Sequence, residues 1–224
     1  PEPGKFRVSY NGNFTVNMPD LSDYNLMNST EKLIFEKEAG RYTAYSQYDQ
    51  KLLDSLYNKN LAEVARGVDT YWLNEPTRAS FTHKHNVYAE GGDDAIRYGL
   101  GLTYNNTQGV MKNSGNDLLG INFDLTYRVG KFQFSNKLSV DYLTTENPTV
   151  KFNEYANANP YYRKRNADGS VERYLESYLS ANGTPYTVEN PLYNASLNSF
   201  DNSKSLEIKE NLNVEWKIMP TIKR

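Results

Sequence analysis

Cysteine is missing from the 224 residues. Disulfides, thiolate metal sites and cysteine nucleophiles are therefore excluded. No run of about 18 apolar residues occurs, so no transmembrane helix is expected. A cationic excess is missing as well. Lys and Arg number 25 against 27 Asp and Glu, a formal net charge of -2, without the electrostatic footprint of a general nucleic-acid binder. Histidine occurs only twice, so a zinc site would have to find further ligands elsewhere. Hydrophobic residues make up 38% of the chain, which limits the size of a conventional core. What the chain does hold is 19 Tyr and 27 Asn, with 13% aromatic residues overall. Disordered chains are poor in aromatics, while Tyr favours strands and Asn favours turns. The composition leans towards β-hairpins, in one large domain or two small ones.

Strict alternation marks the strands. In "KFRVSYNGNFTV", Phe6, Val8, Tyr10, Phe14 and Val16 share one face with Gly12, and Arg7, Ser9, Asn11, Asn13 and Thr15 share the other. "AIRYGLGLTYN" separates Ile96, Tyr98, Leu100, Leu102 and Tyr104 from Arg97, Gly99, Gly101 and Thr103. Further strands run through Leu119–Val129, through Phe132–Tyr142 with Asn136 interrupting the apolar row, and through Leu206–Ile218 with Glu210 as the exception. Between the first two strands the period changes to helical. Asn28 and Glu31 form an N-cap pattern before "EKLIFEKEAG", and a second helix is expected from about Ala44 to Arg66, carrying Tyr45, Tyr48, Leu52 and Leu56 on one face. In the later loop, "PYYRKRNADGSVERYLES" is expected to form a small hairpin turning at Asp168-Gly169.

These elements give a mainly β fold, an antiparallel up-and-down meander of about six strands with a helical loop excursion. The strands fall at about 5–16, 78–90, 95–105, 118–129, 131–144 and 205–218, and the long loops at 17–77 and 146–204. They exceed the ~5–6 residues usual in globular sheets. Turns alternate between very short (91–94, 130–131, about 219–220) and long (17–77, 105–117, 146–204). Long strands with one apolar face, short turns at one end and long loops at the other describe part of a large transmembrane β-barrel. A soluble β-rich carbohydrate-binding module is the alternative, since a sandwich also alternates. The chain opens at Pro1 without Met and ends at Arg224 within a new element, and reads as a piece of something longer.

Three stretches carry a family likeness. "KFRVSYNGNFTVNMPDLSDYNLMNSTEKLIFE", "WLNEPTRASFTHKHNVYAEGGDDAIRYGLGLTYNNTQGVMKNSG" and "ANPYYRKRNADGSVERYLE" resemble segments of the SusC/RagA-like TonB-dependent outer-membrane transporters. The likeness covers nearly all of residues 1–224, read as a partial TonB-dependent receptor barrel. It implies a barrel of about 22 strands around a plug, a TonB complex as energy source, a SusD-like surface lipoprotein as lid, glycan or peptide substrates, and the outer membrane of a Gram-negative bacterium, with lipid against the barrel. It implies no cofactor. The sequence departs from the family pattern in holding neither plug, TonB-binding segment nor most of the barrel, so no transport is expected from residues 1–224 alone.

Candidate sites are few. Gly99 and Gly101 lack the third glycine of a dinucleotide loop, since Tyr104 stands there. On the wet face they would permit close approach of a plug. His83 and His85 project from the same side of a strand, suited to a headgroup boundary and short of a third ligand for zinc. Asn166, Asp168 and Ser170 around Gly169 hint at a calcium loop without its terminal acidic ligand, and read as a plain turn. No Ser/His/Asp arrangement stands out, so catalysis is not expected. Trp72, Tyr161, Tyr162 and Tyr174 lie in the long loops, where aromatic faces can stack on a ligand, pack within the loops or meet the lid lipoprotein.

Overall fold

The computed structural model describes residues 4–218. They divide into two compact units, one built by the long strands and the other by residues 19–78 and 148–200. The expected turn at about 219–220 lies outside the described residues.

The first unit is a six-stranded antiparallel sheet. Its strands are β1 (Gly4–Asn17), β2 (Ser80–Gly92), β3 (Ile96–Gln108), β4 (Gly115–Val129), β5 (Phe132–Asn147) and β8 (Asp201–Trp216). They lie in that order, each paired with the next. Strand pairing stacks the alternating residues into cross-strand rows. Tyr10, Val87, Leu102, Ile121, Val140 and Ile208 form one such row, and Val8, Ala89, Leu100, Phe123 and Leu138 form the next. This apolar face is open: Val8 is 60% exposed, Leu100 43% and Ile208 62%. A patch of this size has to meet lipid or another apolar surface. On β4 the row from Leu119 to Val129 covers about 34 Å at ~3.4 Å per residue. Tilted by about 40°, it spans about 26 Å, the height of the apolar band on an outer-membrane barrel.

The two polar interruptions of that face are neighbours. Asn136 donates from Nδ2 to Glu210 Oε1 at 2.9 Å, so each supplies the other with the hydrogen bond that hydrocarbon cannot. Near the strand ends that lead to the long connections, Tyr10, Phe14, Phe81, His83, His85 and Tyr104 form a ring cluster, with His83 and His85 centroids 5.2 Å apart. Tyr10 leans over Gly12, where a Cβ would meet its hydroxyl at 2.8 Å, and that hydroxyl pairs with His85 Nδ1 at 2.7 Å.

The strands run further than the sequence suggests at the long-loop end. The connection expected over 105–117 shrinks to 109–114, closed by Gly109 N–H donating to Ser114 O at 2.8 Å. Asn105, Asn106, Thr107, Asn116 and Asp117 are polar on both faces, which reads as loop. They keep the ladder because side chains bond across it, as Asn106 Nδ2 does to Asp117 Oδ1 at 2.6 Å.

The second unit turns what looked like two separate loops into one packed body. Helix α1 (Ser29–Glu38) starts with a full capping box, Asn28 Oδ1 accepting from Glu31 N–H and Glu31 Oε2 from Asn28 N–H. Helix α2 (Gln47–Ala65) is capped by Ser46, and the chain leaves it through Gly67 at φ +82°. Leu53, Leu56, Tyr57, Asn60 and Val64 form its inward stripe. Of the apolar face read from the sequence, Leu56 packs inward while Tyr45 and Tyr48 are exposed, and the stripe beside it, through Leu53, Tyr57 and Val64, carries the packing. A 3-10 turn (Trp72–Asn74), α3 (Phe152–Ala156), the hairpin β6 (Tyr174–Leu179) with β7 (Pro185–Glu189), and α4 (Pro191–Ser196) complete the unit. The hairpin expected at Asp168-Gly169 is therefore displaced. Residues 166–170 form only a turn, and the strands pair around Gly183, at φ +80° after Asn182. Both glycines take positive φ, +85° at Gly169 and +80° at Gly183, so the flanks decide, and Tyr178 and Tyr186 stack across the second turn with centroids 4.7 Å apart.

Candidate functional site

At the centre of the loop unit is a core of Leu33, Tyr42, Trp72, Val150, Tyr155, Tyr161 and Tyr162. Arg41 is embedded beside it. Its Nη1 donates to Glu36 Oε1 at 2.8 Å and to the Tyr161 hydroxyl at 2.7 Å, and its Nη2 to Glu176 Oε1 at 2.8 Å and the Tyr162 hydroxyl at 3.3 Å. The Tyr161 hydroxyl in turn donates to Glu36 Oε2 at 2.6 Å and the Tyr162 hydroxyl to Glu176 Oε2 at 2.8 Å. Each hydroxyl thus accepts from the guanidinium and donates to a carboxylate, so both its roles are used. Lys32 Nζ lies 3.4 Å from Glu36, so two cations face two carboxylates. The arrangement joins residues 36–60 to 161–176 and explains why the two segments fold as one body.

Electrostatics follow from the burial. Desolvation raises the Tyr161 hydroxyl far above its ordinary range, with Tyr162 and the bond to Glu36 adding to it. Tyr162 rises for the same first reason, then through Glu176, and Tyr42 rises mainly by burial. Burial opposes the charge of Arg41, but Tyr162, Tyr161 and Glu176 around it outweigh that and hold the guanidinium more firmly protonated than usual.

The four loop aromatics singled out in the sequence are placed by this core. Trp72 is 1% exposed and donates from Nε1 to Asn159 O at 2.9 Å. Tyr161 and Tyr162 are buried edge to face, with centroids 4.8 Å apart. Tyr174 stays half-buried, and the Arg173 guanidinium covers its ring at 4.9 Å. Three of the four come together, since Tyr161, Tyr162 and Tyr174 line a cavity of about 220 Å³ with Asn60, Glu63 and Asn190. Trp72 borders another, of about 440 Å³, with Asn28, Lys32, Asp69 and Asn157. Their ring faces are engaged within the unit, so these cavities offer edges and hydroxyls to a ligand more than open aromatic planes. Arg41, Glu36 and Glu176, which organise the region, carry no motif that a single sequence exposes.

The other candidates resolve locally. Asp168 Oδ1 accepts from Ser170 N–H at 2.9 Å and from its hydroxyl at 2.7 Å, and these bonds hold its carboxyl below the usual range. In the turn between β2 and β3, Asp93 Oδ1 likewise accepts from Ile96 and Ala95 N–H at 2.9 and 2.8 Å, and its pKa is lowered by the same bonds. Among the described residues, no group of three or more His, Asp or Glu is placed to hold a metal ion.

On the polar face of the sheet, Gly99 and Gly101 serve a neighbour within the sheet. A Cβ on Gly99 would fall 2.1 Å from the Tyr88 hydroxyl, and one on Gly101 would fall 3.3 Å from its ring. Tyr88 on β2 lies across β3 and donates to Asp124 Oδ2 on β4 at 3.3 Å. The close approach expected of a plug is made here by this ring, which needs two strand positions without side chains.

A meander of long strands, apolar and open on one face and polar on the other, has the fold of a segment of barrel wall. Solved structures bear on this class. The chain is similar to a chain of the RagAB peptide transporter, with a TM-score of 0.68 at 14% identity over 96% of this chain and 26% of that one. Chains of the RagAB peptide importer in its closed-closed and open-open states give TM-scores of 0.65 and 0.64, each at 16% identity and the same coverage. The chain thus spans about a quarter of the length of these neighbours, and at this identity the likeness is one of fold. No protein-family model matches the sequence, and no curated protein matches it.

Proposed function

We propose that the chain is part of an outer-membrane importer of the SusC/RagA-like kind, a non-enzymatic protein that takes up large nutrients, peptides or glycans, in a Gram-negative envelope. The observation that carries this reading is the sheet's open apolar face, continuous over six strands and about as tall as a bilayer core. The fold likeness to transporter chains and the resemblance of three sequence stretches to the family support it. A soluble carbohydrate-binding module would leave that face without cover. In this reading the protein works with a SusD-like lipoprotein and draws energy through TonB. The loop unit is a ligand-facing element whose polar cavity edges near Tyr174 and Trp72 contact substrate or the lipoprotein.

The test is uptake. Cells carrying the full-length protein and its lipoprotein accumulate labelled oligopeptides or oligosaccharides, and lose that accumulation on TonB deletion. Accumulation that survives TonB deletion, or a protein that partitions with the aqueous fraction, contradicts the proposal.

A further inference from the structure

The polar face of the sheet is not uniform along its strands. Towards the short turns it is charged and internally paired, as Arg7 Nη2 with Glu90 Oε1 at 2.8 Å and Tyr88 with Asp124 show. Towards the long connections it becomes almost neutral on β1, β2 and β3, with Asp141 and Glu207 following on β5 and β8. Cross-strand pairing there stacks three rows: Thr15–Thr82–Thr107, Asn13–Lys84–Asn105 and Asn11–Asn86–Thr103. Six of these side chains and Lys84 line an open basin of about 530 Å³. Lys84 is the one charged residue of that lining.

Most of the hydrogen-bonding capacity in the basin is unused. Asn86 Nδ2 donates to Thr103 at 2.8 Å, Asn105 Nδ2 to Thr107 at 3.2 Å, and Asn13 Oδ1 accepts from Thr15 at 3.2 Å. These bonds leave the carbonyl oxygens of Asn86 and Asn105, the Asn13 amide nitrogen and the whole Asn11 amide open. Thr82 holds its hydroxyl away from solvent with no hydrogen-bond partner.

We infer that this amide-lined basin on β1, β2 and β3 binds the backbone of an extended oligopeptide, with its terminal carboxylate on Lys84. The inference rests on the importer reading above and names the substrate class at a particular wall. Side-chain amides offer a donor and an acceptor together, the same pair a peptide group offers. Same-face positions repeat every ~6.8 Å along a strand, which is also the repeat of like-facing amides in an extended peptide. The lining holds no aromatic plane, so a sugar ring would find hydrogen bonds without a stacking surface. Lys84, the one charge of the lining, selects one carboxylate.

The test uses the full-length protein in detergent. Pentapeptides with neutral side chains are titrated with a free or an amidated C-terminus, alongside an α-glucan oligosaccharide. Lys84→Met is expected to weaken the free-acid peptide about tenfold or more and to leave the amidated peptide unchanged. The pair Asn13→Ala and Asn105→Ala is expected to weaken both peptides severalfold. Heat-modifiable mobility on gels verifies that each variant keeps its barrel. Peptide affinities unchanged in all folded variants overturn the basin as the site and leave the importer reading intact. Oligosaccharide binding that responds to the variants while peptide binding does not overturns the peptide class. A wild-type protein that neither binds nor imports any of the probes overturns the importer reading, and the basin with it.

Discussion

Arg41 is the residue on which the loop unit turns, because its guanidinium fork is shared between two glutamates and two tyrosines. Removing it leaves Glu176, 2% exposed, as a buried charge without its partner. Arg41→Met is therefore expected to destabilise the unit by about 3 kcal/mol, read as faster amide exchange through residues 150–162. Arg41→Lys recovers little, since an ammonium cannot span both carboxylates. Adding Glu176→Gln to Arg41→Met recovers part of the loss, because the buried carboxylate is then neutral while Lys32 still faces Glu36. The buried tyrosines set a pH limit. Tyr42, Tyr161 and Tyr162 have folded pKa values raised above the ordinary 10.0. Their contribution to stability is thus complete below pH 10 and is lost as pH rises through the folded values. Exchange protection in this unit should fall above about pH 10 while the unit is indifferent between pH 7 and 9. A flat profile to pH 12 would contradict the burial of these hydroxyls.

Among the elements, the sheet was legible and the loops were not, for a physical reason. A strand with one apolar face writes its geometry at period two, so the faces of β1, β3, β4, β5 and β8 can be read from residues such as Leu100 against Gly101. Helix α1 was legible through Asn28 and Glu31, which meet locally. Polar strand extensions such as Asn105–Thr107 carry no such contrast, and their pairing depends on partners on the neighbouring strands. The burial of Trp72, Tyr161 and Tyr162 depends on residues brought together from two distant segments, and an aromatic in a polar stretch reads the same whether it stacks on a ligand or on another tyrosine. Gly99 was legible as a site of close approach, but the approaching group, Tyr88, was not. That contact makes a prediction for the element. Gly99→Leu should destabilise the sheet by about 1–3 kcal/mol through overpacking, and Tyr88→Ala in the same protein should remove most of that cost. Heat-modifiable mobility against temperature measures both. A Gly99→Leu protein as stable as the parent would show that Tyr88 does not occupy the space.

For the whole molecule, the two units have different physics. The loop unit buries Leu33, Tyr42, Trp72, Tyr155, Tyr161 and Tyr162 in a core of its own. The sheet keeps its polar rows on one side and leaves Phe, Leu, Ile and Val open on the other, where the hydrophobic effect would drive aggregation unless lipid is the solvent. The central claim is that this open face meets lipid. Nitroxide labels at Leu100 and Phe123 of the full-length protein in a bilayer test it, with Thr103 and Asn122 as controls on the opposite face. Leu100 and Phe123 should relax with dissolved oxygen and Thr103 and Asn122 with a water-soluble nickel chelate. Labels at Leu100 and Phe123 reached only by the aqueous reagent would contradict the account.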